Sequence, residues 1–228
     1  MMEDARAYEE LRVGFTAAVS HELRTPLARL LALLESALLP GADANELVEQ
    51  AREQALEMGE LIDDVLFLSE LESGRQVVSL GSTLVRPVLE DVRAELADSA
   101  ERADVRVIVD ADPDLELPLR ARMLRVVVEN LLANSIRYAG PRATCTLSAL
   151  VENDRVVLSV ADDGRGVDAD ELPRLFERFF RSDRARASRG TGLGLAIVKH
   201  VVVSAGGHVE ASGGHGRGLR IICSFPRP

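Results

Sequence analysis

Ser20-His21-Glu22-Leu23-Arg24-Thr25-Pro26-Leu27 is the stretch around which this sequence is organised. Its leucines continue an apolar stripe at helical spacing, formed by Leu23, Leu27, Leu30 and Leu34. His21 points roughly 200° around the helix from Leu23, and Thr25 follows one turn later on the face of the histidine. Pro26 removes a backbone donor and is expected to bend the helix there. The stretch therefore predicts an exposed imidazole, flanked by the Glu22 carboxylate and a hydroxyl, at a kink.

Two simpler interpretations of this histidine have to be weighed. A lone histidine on a helix is more often a solvated surface residue than a functional one. His-Glu also begins the zinc-protease pattern, but that pattern requires a second histidine where this sequence has Thr25, so the interpretation fails. The rest of the chain has to decide between a surface histidine and a functional one.

The N-terminal part reads as two long helices, at about residues 3–39 and 44–72, separated by Pro40-Gly41-Ala42-Asp43. So short a connection predicts an antiparallel hairpin. The apolar stripe of the second helix is predicted to be Leu47, Ala51, Ala55, Met58, Ile62, Val65 and Leu68. Two helices alone cannot bury both stripes. We therefore expect a dimeric four-helix bundle rather than a monomeric hairpin packed on the rest of the chain.

After an expected hinge at Ser73-Gly74-Arg75, the pattern changes to short alternating elements, which predicts a second domain of mixed α+β type with helices on a sheet. Strand-like patterns occupy residues 77–80, 105–109, 144–151, 156–162, 208–212 and 219–225. Helical patterns occupy residues 87–103, 119–138, 172–179 and 192–205.

Composition excludes several classes of function. The 228 residues suffice for two domains, and a net charge of −10 argues against nucleic acid as a partner. No apolar run approaches the roughly 18 residues of a membrane span, and no targeting signal is recognised. Cys145 and Cys223 lie in apolar contexts without metal-type spacing. We expect both to stay reduced in a core, which favours a cytoplasmic location.

Four polar residues share one face of the predicted helix at residues 119–138: Asn130, Asn134, Arg137 and Tyr138. The opposite face is apolar and carries Leu124, Val128, Leu131, Leu132 and Ile136. Asparagine is a poor residue in the middle of a helix, and amide oxygens are suitable ligands for a Mg²⁺ ion shared with phosphates. Arg137 is suited to meet phosphate, and Tyr138 offers a flat surface to a base. From this helix alone, a plain solvated face is an equally good interpretation.

Two glycine-rich stretches follow. Asp162-Asp163-Gly164-Arg165-Gly166-Val167 comes after a strand, so its glycines would let the backbone approach a ligand. A carboxylate at this place would accept the exocyclic amine of adenine, although Asp-Gly turns without a ligand are common. Arg189-Gly190-Thr191-Gly192-Leu193-Gly194-Leu195 precedes a helix, whose bare N–H groups form an anion site. Its spacing is neither the P-loop nor the Rossmann pattern.

The segment between these stretches has the length of an active-site lid and contains Phe176-Glu177-Arg178-Phe179-Phe180-Arg181. Exposed aromatic side chains cost stability unless they pack against other groups. The three phenylalanines therefore either dock when a nucleotide closes the lid or belong to the permanent core.

Taken together and in this order, the motifs resemble those of bacterial sensor histidine kinases. Residues 20–27 look like the H box, 130–138 like the N box, 162–166 like the first glycine box, 176–180 like the F box, and 190–195 like the second glycine box. The resemblance covers essentially the whole chain, and five motifs in the right order are highly specific. It implies an α+β fold. A helical hairpin at residues 1–73 would dimerise into a four-helix bundle and carry histidine phosphotransfer, and an α/β sandwich of the Bergerat (GHKL) type at residues 74–228 would bind ATP.

The resemblance also implies roles for single residues. His21 would be the phosphate acceptor, Glu22 the neighbouring base, and Thr25 the residue that positions water for dephosphorylation of the partner. Asn130 and Asn134 would handle Mg²⁺ and the phosphates. The other nucleotide-binding residues would be Arg137, Tyr138, Asp162, Gly164, Gly166, Phe176, Arg178, Gly190, Thr191, Gly192, Leu193 and Gly194. The sequence departs mildly from the family pattern, since Ser135 replaces the usual alanine, Arg137 a common lysine and Asp163 a frequent asparagine.

The implied activity is autophosphorylation of His21 from ATP in a homodimer, followed by transfer to an aspartate of a response regulator and, in addition, phosphatase activity toward that regulator. Only 20 residues precede His21, so we expect either a piece of a longer protein or input from a separate one. Two alternatives remain. One is an ATPase of the gyrase B or MutL kind, with water as acceptor. The other is a dimeric scaffold that binds nucleotide without chemistry. The hairpin with its His-Glu pair argues against the first.

Overall fold

The computed structural model describes residues 2–73, 81–182 and 190–227, and of residues 2–17 the backbone alone. The chain divides into two compact units with the boundary between Phe67 and Leu68. The strand predicted at residues 77–80 and the hinge predicted at Gly74 lie outside the described residues. Within the described ranges, no helix combines the length and the apolar character needed to cross a bilayer.

The first unit is built from helix α1 (Met2–Ala37) and most of helix α2 (Ala44–Glu72), whose residues from Leu68 onward belong to the second unit. Gly41 turns the chain between them with a φ of +84°. Asp43 then caps α2, because its Oδ1 accepts a hydrogen bond of 3.1 Å from the backbone N–H of Glu46. This cap explains why α2 begins where the sequence predicts it.

The buried seam of α2 differs from the predicted stripe at two positions. Gln54 and Leu61 are only 8% and 6% exposed, whereas Ile62 is 43% exposed and Ala55 is also exposed. The prediction of Ala55 and Ile62 for this seam was therefore wrong. Gln54 is tolerated there because its Nε2 donates a hydrogen bond of 2.9 Å to Glu57. The buried and half-buried positions follow alternating steps of four and three residues: Leu47, Ala51, Gln54, Met58, Leu61, Val65 and Leu68.

The second unit is an α/β sandwich. Its helices are α3 (Val85–Glu95), α4 (Ala97–Arg102), α5 (Ala121–Tyr138) and α6 (Gly194–Ser204). Its strands are β1 (Thr83–Leu84), β2 (Arg106–Ala111), β3 (Glu116–Leu117), β4 (Thr144–Glu152), β5 (Arg155–Asp162), β6 (His208–Gly213) and β7 (Leu219–Pro226).

Five strands form the main sheet in the order β2-β4-β5-β7-β6, in which β2 runs parallel to β4 and the other pairs are antiparallel. Helices α3, α5 and α6 pack side by side and contact these strands. The inward residues of β4 are buried: Cys145, Leu147 and Ala149. Strands β1 and β3 pair separately and were not predicted, because two residues are too short for a periodic signal.

Two predicted helices are different in the structure. The segment at residues 87–103 is two helices, because Leu96 leaves the helical region with a ψ of +8°. The segment at residues 172–179 contains only a single 3₁₀ turn, at Leu172–Arg174. The apolar face of α5 is confirmed, since Leu124, Val128, Leu131, Leu132 and Ile136 are all buried.

Candidate functional site

The predicted acceptor lies in the first unit and is accessible. The side chain of His21 is 78% exposed, and its Nδ1 lies 3.9 Å from Oε1 of Glu22, whose side chain is 46% exposed. This separation is longer than a hydrogen bond. Thr25 is also exposed. The helical geometry predicted for these three residues is confirmed.

In the second unit, the two asparagines lie one turn apart on α5, and both are half-buried. The Nδ2 of Asn130 donates a hydrogen bond of 2.8 Å to the carbonyl of Val126 in the same helix. Its Oδ1 therefore points away from α5 and toward the first residue of α6, since a methyl group on Gly194 would lie 2.4 Å from that oxygen. Glycine at this position lets the start of α6 come next to the amide oxygen.

The end of α5 contacts the start of the second glycine stretch. A methyl group on Gly190 would lie 2.7 Å from a terminal nitrogen of Arg137 and 3.0 Å from the hydroxyl of Tyr138. The structure thus brings together two motifs that are separated by about fifty residues in the sequence. Arg137 is exposed, so its guanidinium is available to solvent or to an anion.

The second glycine stretch leads directly into the N-terminus of α6. The backbone N–H of Leu193 donates a hydrogen bond of 3.2 Å to Oγ1 of Thr191, and the Leu193 side chain is fully buried. Gly192 has a φ of +72°, and a methyl group on it would lie 2.8 Å from the Cα of Phe179. The first N–H groups of α6 have no partner within the helix and carry the positive end of its dipole, so this end is suited to bind an anion.

The three phenylalanines of the predicted lid are half-buried. Phe179 has a φ of +61°, and its N–H donates a hydrogen bond of 2.9 Å to the carbonyl of Gly192. The guanidinium of Arg174 lies 4.3 Å above the ring of Phe180. Because Phe176, Phe179 and Phe180 are neither fully buried nor fully exposed, both predicted roles for these side chains stay open. Arg178 forms an ion pair with Glu72, the last residue of α2.

Asp162 ends strand β5 and receives three hydrogen bonds. Its Oδ1 accepts from the backbone N–H groups of Gly164 at 3.1 Å and Leu219 at 3.3 Å, and its Oδ2 accepts from the hydroxyl of Ser135 at 3.2 Å. Burial raises the pKa of Asp162, and the like charge of Asp163 adds to this effect. The three hydrogen bonds oppose the shift because they favour the ionised carboxylate.

Sequence reasoning noted Ser135 only as a departure from the usual alanine and gave it no function. Its side chain is 5% exposed. A buried hydroxyl inside a helix needs a partner, and this requirement is the signal that points to a role for the residue.

On strand β4, burial raises the pKa of Cys145 to about 12, so that its thiol is neutral. Cys145 and Cys223 are both free and buried, as predicted.

The first glycine box packs against backbone on both sides. A methyl group on Gly164 would lie 2.3 Å from the carbonyl oxygen of Ala139, at the end of α5. A methyl group on Gly166 would lie 2.0 Å from the carbonyl oxygen of Gly214 and 2.7 Å from that of Gly218. Residues 214–218, which we name the β6–β7 turn, thus lie directly on this box.

The oxygen atoms available near α6 fit a hydrated Mg²⁺ ion. In the described part of the chain, no group of three or more histidine, cysteine, aspartate or glutamate side chains could hold a metal. The side chain of Asn130 instead offers a single amide oxygen beside a helix N-terminus. Mg²⁺ typically keeps several waters and shares phosphate oxygens, so it needs few protein ligands.

Helix α5 connects the parts of this site. Along its length, Asn130 contacts the start of α6, Ser135 contacts Asp162, and Ala139 contacts the first glycine box. The polar residues of α5 and the two glycine boxes are therefore grouped together in the second unit. The residues predicted for the acceptor belong to the first unit.

Comparisons with known proteins agree with this grouping. Residues 120–228 match the family model "Histidine kinase-, DNA gyrase B-, and HSP90-like ATPase". Residues 11–74 match the model "His Kinase A (phospho-acceptor) domain". The first match covers the residues predicted to bind nucleotide, and the second covers His21, α2 and helix α1 from residue 11 onward.

Two curated relatives and one solved structure are similar to nearly the whole chain. The phosphate regulon sensor protein PhoR of Pseudomonas aeruginosa is 36% identical over 223 residues, covering 95% of this chain and 50% of PhoR. The sensor-like histidine kinase SenX3 of Mycobacterium tuberculosis is 32% identical over 229 residues, covering 98% of this chain and 56% of SenX3. The crystal structure of histidine kinase ThkA in complex with response regulator protein TrrA superposes with a TM-score of 0.76 at 17% identity, covering 99% of this chain and 65% of that one.

The ThkA likeness shows that the fold is shared. The chain spans about half the length of the curated relatives that it matches. Along the chain, the phospho-acceptor model comes first and contains the motif at residues 20–27, and the ATPase model comes second and contains the other four motifs. The chain therefore belongs to the sensor histidine kinases and carries the two domains of their catalytic core.

Proposed function

We propose that this chain is an ATP-dependent protein histidine kinase that phosphorylates its own His21 and passes the phosphoryl group to an aspartate of a response regulator. One observation carries the proposal. An exposed imidazole beside a carboxylate lies on one unit, and an anion-binding helix N-terminus with a buried, hydrogen-bonded aspartate lies on the other. The name of SenX3, a sensor-like histidine kinase, supports the kinase activity, and the complex of ThkA with TrrA supports a response regulator as partner.

In this proposal the adenine of ATP lies against Asp162, and Oδ2 of Asp162 accepts a hydrogen bond from the exocyclic amine of the base. The phosphates lie at the N-terminus of α6, next to the outward amide oxygen of Asn130. Asn134, Arg137 and Tyr138 complete this side of the site. A Mg²⁺ ion held by the asparagine oxygens would neutralise phosphate charge.

The phosphoryl transfer is an in-line displacement. The lone pair of Nε2 of neutral His21 forms the bond to the γ-phosphorus while the bond from that phosphorus to the bridging oxygen breaks, and ADP leaves with the electron pair. Glu22 accepts the proton from Nδ1 of the ring, which keeps the nucleophilic nitrogen electron-rich. Arg137 and Arg178 are candidates to stabilise the transition-state charge. Because Arg178 pairs with Glu72 in the structure, this role requires that ion pair to open.

We propose that Thr25 acts in the dephosphorylation of the response regulator. Its hydroxyl is exposed one turn after His21, where it would position water against the phosphoaspartate of a docked regulator. Loss of Thr25 should therefore spare autophosphorylation and slow dephosphorylation of the regulator. Equal rates of both reactions in Thr25→Ala and the parent protein would remove this assignment.

We infer that the active form is a homodimer. Besides its buried seam, α2 presents a second apolar set on its surface, which includes Val48, Leu56, Ile62 and Leu66 at 52%, 56%, 43% and 58% exposure. On α1, Leu27 and Leu34 are also exposed, at 44% and 42%. A second hairpin would cover both sets and complete a four-helix bundle. In this assignment residues 1–73 form the phosphotransfer hairpin and residues 74–228 the nucleotide-binding domain.

Incubation with γ-labelled ATP tests the proposal. The parent protein should acquire protein-bound label that acid removes and alkali leaves in place, because the phosphoramidate bond of phosphohistidine is acid-labile. His21→Gln should acquire none. His208→Ala is the matched control, since His208 is an exposed histidine on β6 away from the site, and it should label as the parent does.

The alternatives give different results in the same assay. Release of free phosphate without labelled protein would indicate an ATPase with water as acceptor. Nucleotide binding with neither label nor phosphate release would indicate a scaffold. Either result would overturn the kinase assignment. A mixture of His21→Gln and Asn134→Ala chains that becomes labelled would show transfer between subunits and would support the dimer.

A further inference from the structure

Ser135 is a buried polar residue in the middle of α5 with a partner far away in the sequence. Its hydroxyl donates to Oδ2 of Asp162 at 3.2 Å, across 27 positions. Serine favours caps and turns over helix interiors, and a buried hydroxyl costs free energy unless it is hydrogen-bonded. The family pattern has alanine here, which would fit the helix better. The bond to Asp162 accounts for a hydroxyl at this place, and the thiol of Cys145 is a second hydrogen-bonding neighbour of that hydroxyl.

The hydrogen bonds to Asp162 leave a defined opening. An ionised carboxylate has about four acceptor positions, two on each oxygen. The backbone N–H groups of Gly164 and Leu219 occupy both positions on Oδ1, and Ser135 occupies one on Oδ2. One acceptor position on Oδ2 is left. Because both oxygens are bonded to the protein, the carboxylate cannot rotate, and the direction of this position is fixed.

The charge environment of Asp162 makes this bond important. The neighbouring Asp163 is a like charge, the facing thiol of Cys145 is neutral, and burial removes water. Two backbone N–H groups and the hydroxyl of Ser135 oppose this rise in the pKa of Asp162, because they donate hydrogen bonds to the ionised carboxylate. Of these three donors, only the hydroxyl comes from a side chain, so it is the donor that a substitution removes without changing the backbone.

We propose that Ser135 is a positioning residue for base selection: by donating to Oδ2 it holds the Asp162 carboxylate so that its open acceptor position receives the exocyclic amine of adenine. The inference rests on the proposed function, in which Asp162 contacts adenine. Hypoxanthine and guanine carry a carbonyl oxygen at the same ring position, and a carboxylate repels it. Without Ser135 the carboxylate rotates more freely and binds a proton more readily, and a protonated Asp162 would donate to that carbonyl. Selection for adenine should then weaken.

The experiment measures autophosphorylation of the full chain with ATP and with ITP, whose base has the carbonyl in place of the amine. Ser135→Ala should raise KM for ATP about three- to tenfold, the loss that corresponds to one ordinary hydrogen bond, and change kcat less than about twofold. The preference for ATP over ITP should fall by a similar factor. As the solution is acidified, Ser135→Ala should lose ATP affinity at a higher pH than the parent protein does. The reason is that removal of a donor to the ionised carboxylate raises the pKa of Asp162.

Two further variants separate this role from a merely structural one. Ser135→Thr keeps the hydroxyl and should restore the preference for ATP and the pH profile. Ser148→Ala is the matched control, because it removes a half-buried hydroxyl on the sheet that is hydrogen-bonded to Ser159 at 2.8 Å. It should leave the preference for ATP and the pH profile unchanged. If Ser135→Ala retains the parental ATP:ITP ratio and pH profile, the inference is overturned.

Asp162→Asn distinguishes failure of the inference from failure of the proposed function. It replaces the acceptor with an amide, so that base selection should disappear altogether if Asp162 contacts adenine. If Asp162→Asn loses selection while Ser135→Ala keeps it, the aspartate reads adenine and the serine does not help. If Asp162→Asn itself retains parental selection, the placement of adenine at Asp162 is wrong and the inference about Ser135 is wrong with it.

Discussion

Alanine substitutions at Gly166 and Gly216 should have very different effects, although the two backbones are alike. Gly166 has a φ of +65° and Gly216 a φ of +70°, so a side chain at either position pays the same left-handed penalty of about 1 kcal/mol. The surroundings differ. A methyl group on Gly216 meets nothing within 4 Å, whereas one on Gly166 would lie 2.0 Å from the carbonyl oxygen of Gly214. Neither contact partner of Gly166 is a side chain that could rotate away.

The contact at Gly166 can be relieved only if the β6–β7 turn moves. That movement would stretch two backbone hydrogen bonds, from Gly216 to the carbonyl of Arg165 at 2.7 Å and from Gly218 to the carbonyl of Gly164 at 3.0 Å. At about 1 kcal/mol for each lost bond, Gly166→Ala should cost about 3 kcal/mol in total and Gly216→Ala about 1 kcal/mol. For a unit of this size the expected falls in Tm are about 6–12 °C and 2–4 °C.

Differential scanning calorimetry of the full chain is the appropriate assay, because the chain contains no tryptophan and because two units can unfold in separate transitions. Nucleotide affinity should follow the same order, since movement of the turn also displaces the N–H of Leu219 from Asp162. Equal falls in Tm for Gly166→Ala and Gly216→Ala would refute the argument that close backbone packing, rather than φ alone, requires glycine in the first glycine box.

Three further outcomes are expected. Asp162→Asn should be at least as stable as the parent at neutral pH while binding ATP more weakly. Burial raises the pKa of this carboxyl, so the folded parent protein holds the proton more tightly than the unfolded chain. The free energy of unfolding of the parent therefore falls as the pH rises above the pKa of the unfolded chain. Calorimetry across pH should show no such fall in the variant. Ile62→Glu should convert the dimer to monomer in analytical ultracentrifugation with the helices intact, whereas Leu61→Ala, in the buried seam, should lower helix stability by about 2–5 kcal/mol. Glu72→Gln should raise ATP affinity by about two- to fivefold in calorimetric titration, because it removes a partly exposed ion pair of Arg178 worth up to about 1 kcal/mol, and Arg178→Ala should lower it.

Local patterns in the sequence were sufficient for the elements that have strong periodicity. The bounds of α2 are as predicted, because Asp43 is a cap that the sequence displays and the helix continues without a breaker. The seam was predicted less well. Apolar residues occupy both of two neighbouring positions, Leu61 and Ile62, and hydrophobicity alone cannot tell which of them faces the other helix. The buried Gln54 made the true seam look polar, since its bond to Glu57 is visible only in the structure.

The motifs can be located in the sequence residue by residue, but their mutual contacts cannot. The bond between Ser135 and Asp162 depends on where the helix crosses the sheet, which sequence spacing does not encode. The glycines illustrate the same point. They were predicted to let backbone approach a ligand, and the structure shows a reason within the protein itself, because Gly164 and Gly166 are in close contact with other backbone segments.

The structure also shows why this site can be organised before a nucleotide arrives. Asn130 uses its nitrogen to bond its own helix, which fixes the direction of its oxygen. Asp162 uses Oδ1 for two backbone donors, which leaves Oδ2 as the oxygen with an open position. In both side chains one polar atom is hydrogen-bonded within the protein. This bond fixes the side-chain rotamer and with it the direction of the other polar atom. Such preorganisation reduces the entropy lost on binding, so substitutions that remove the internal bond should weaken binding even where the ligand-facing atom is kept.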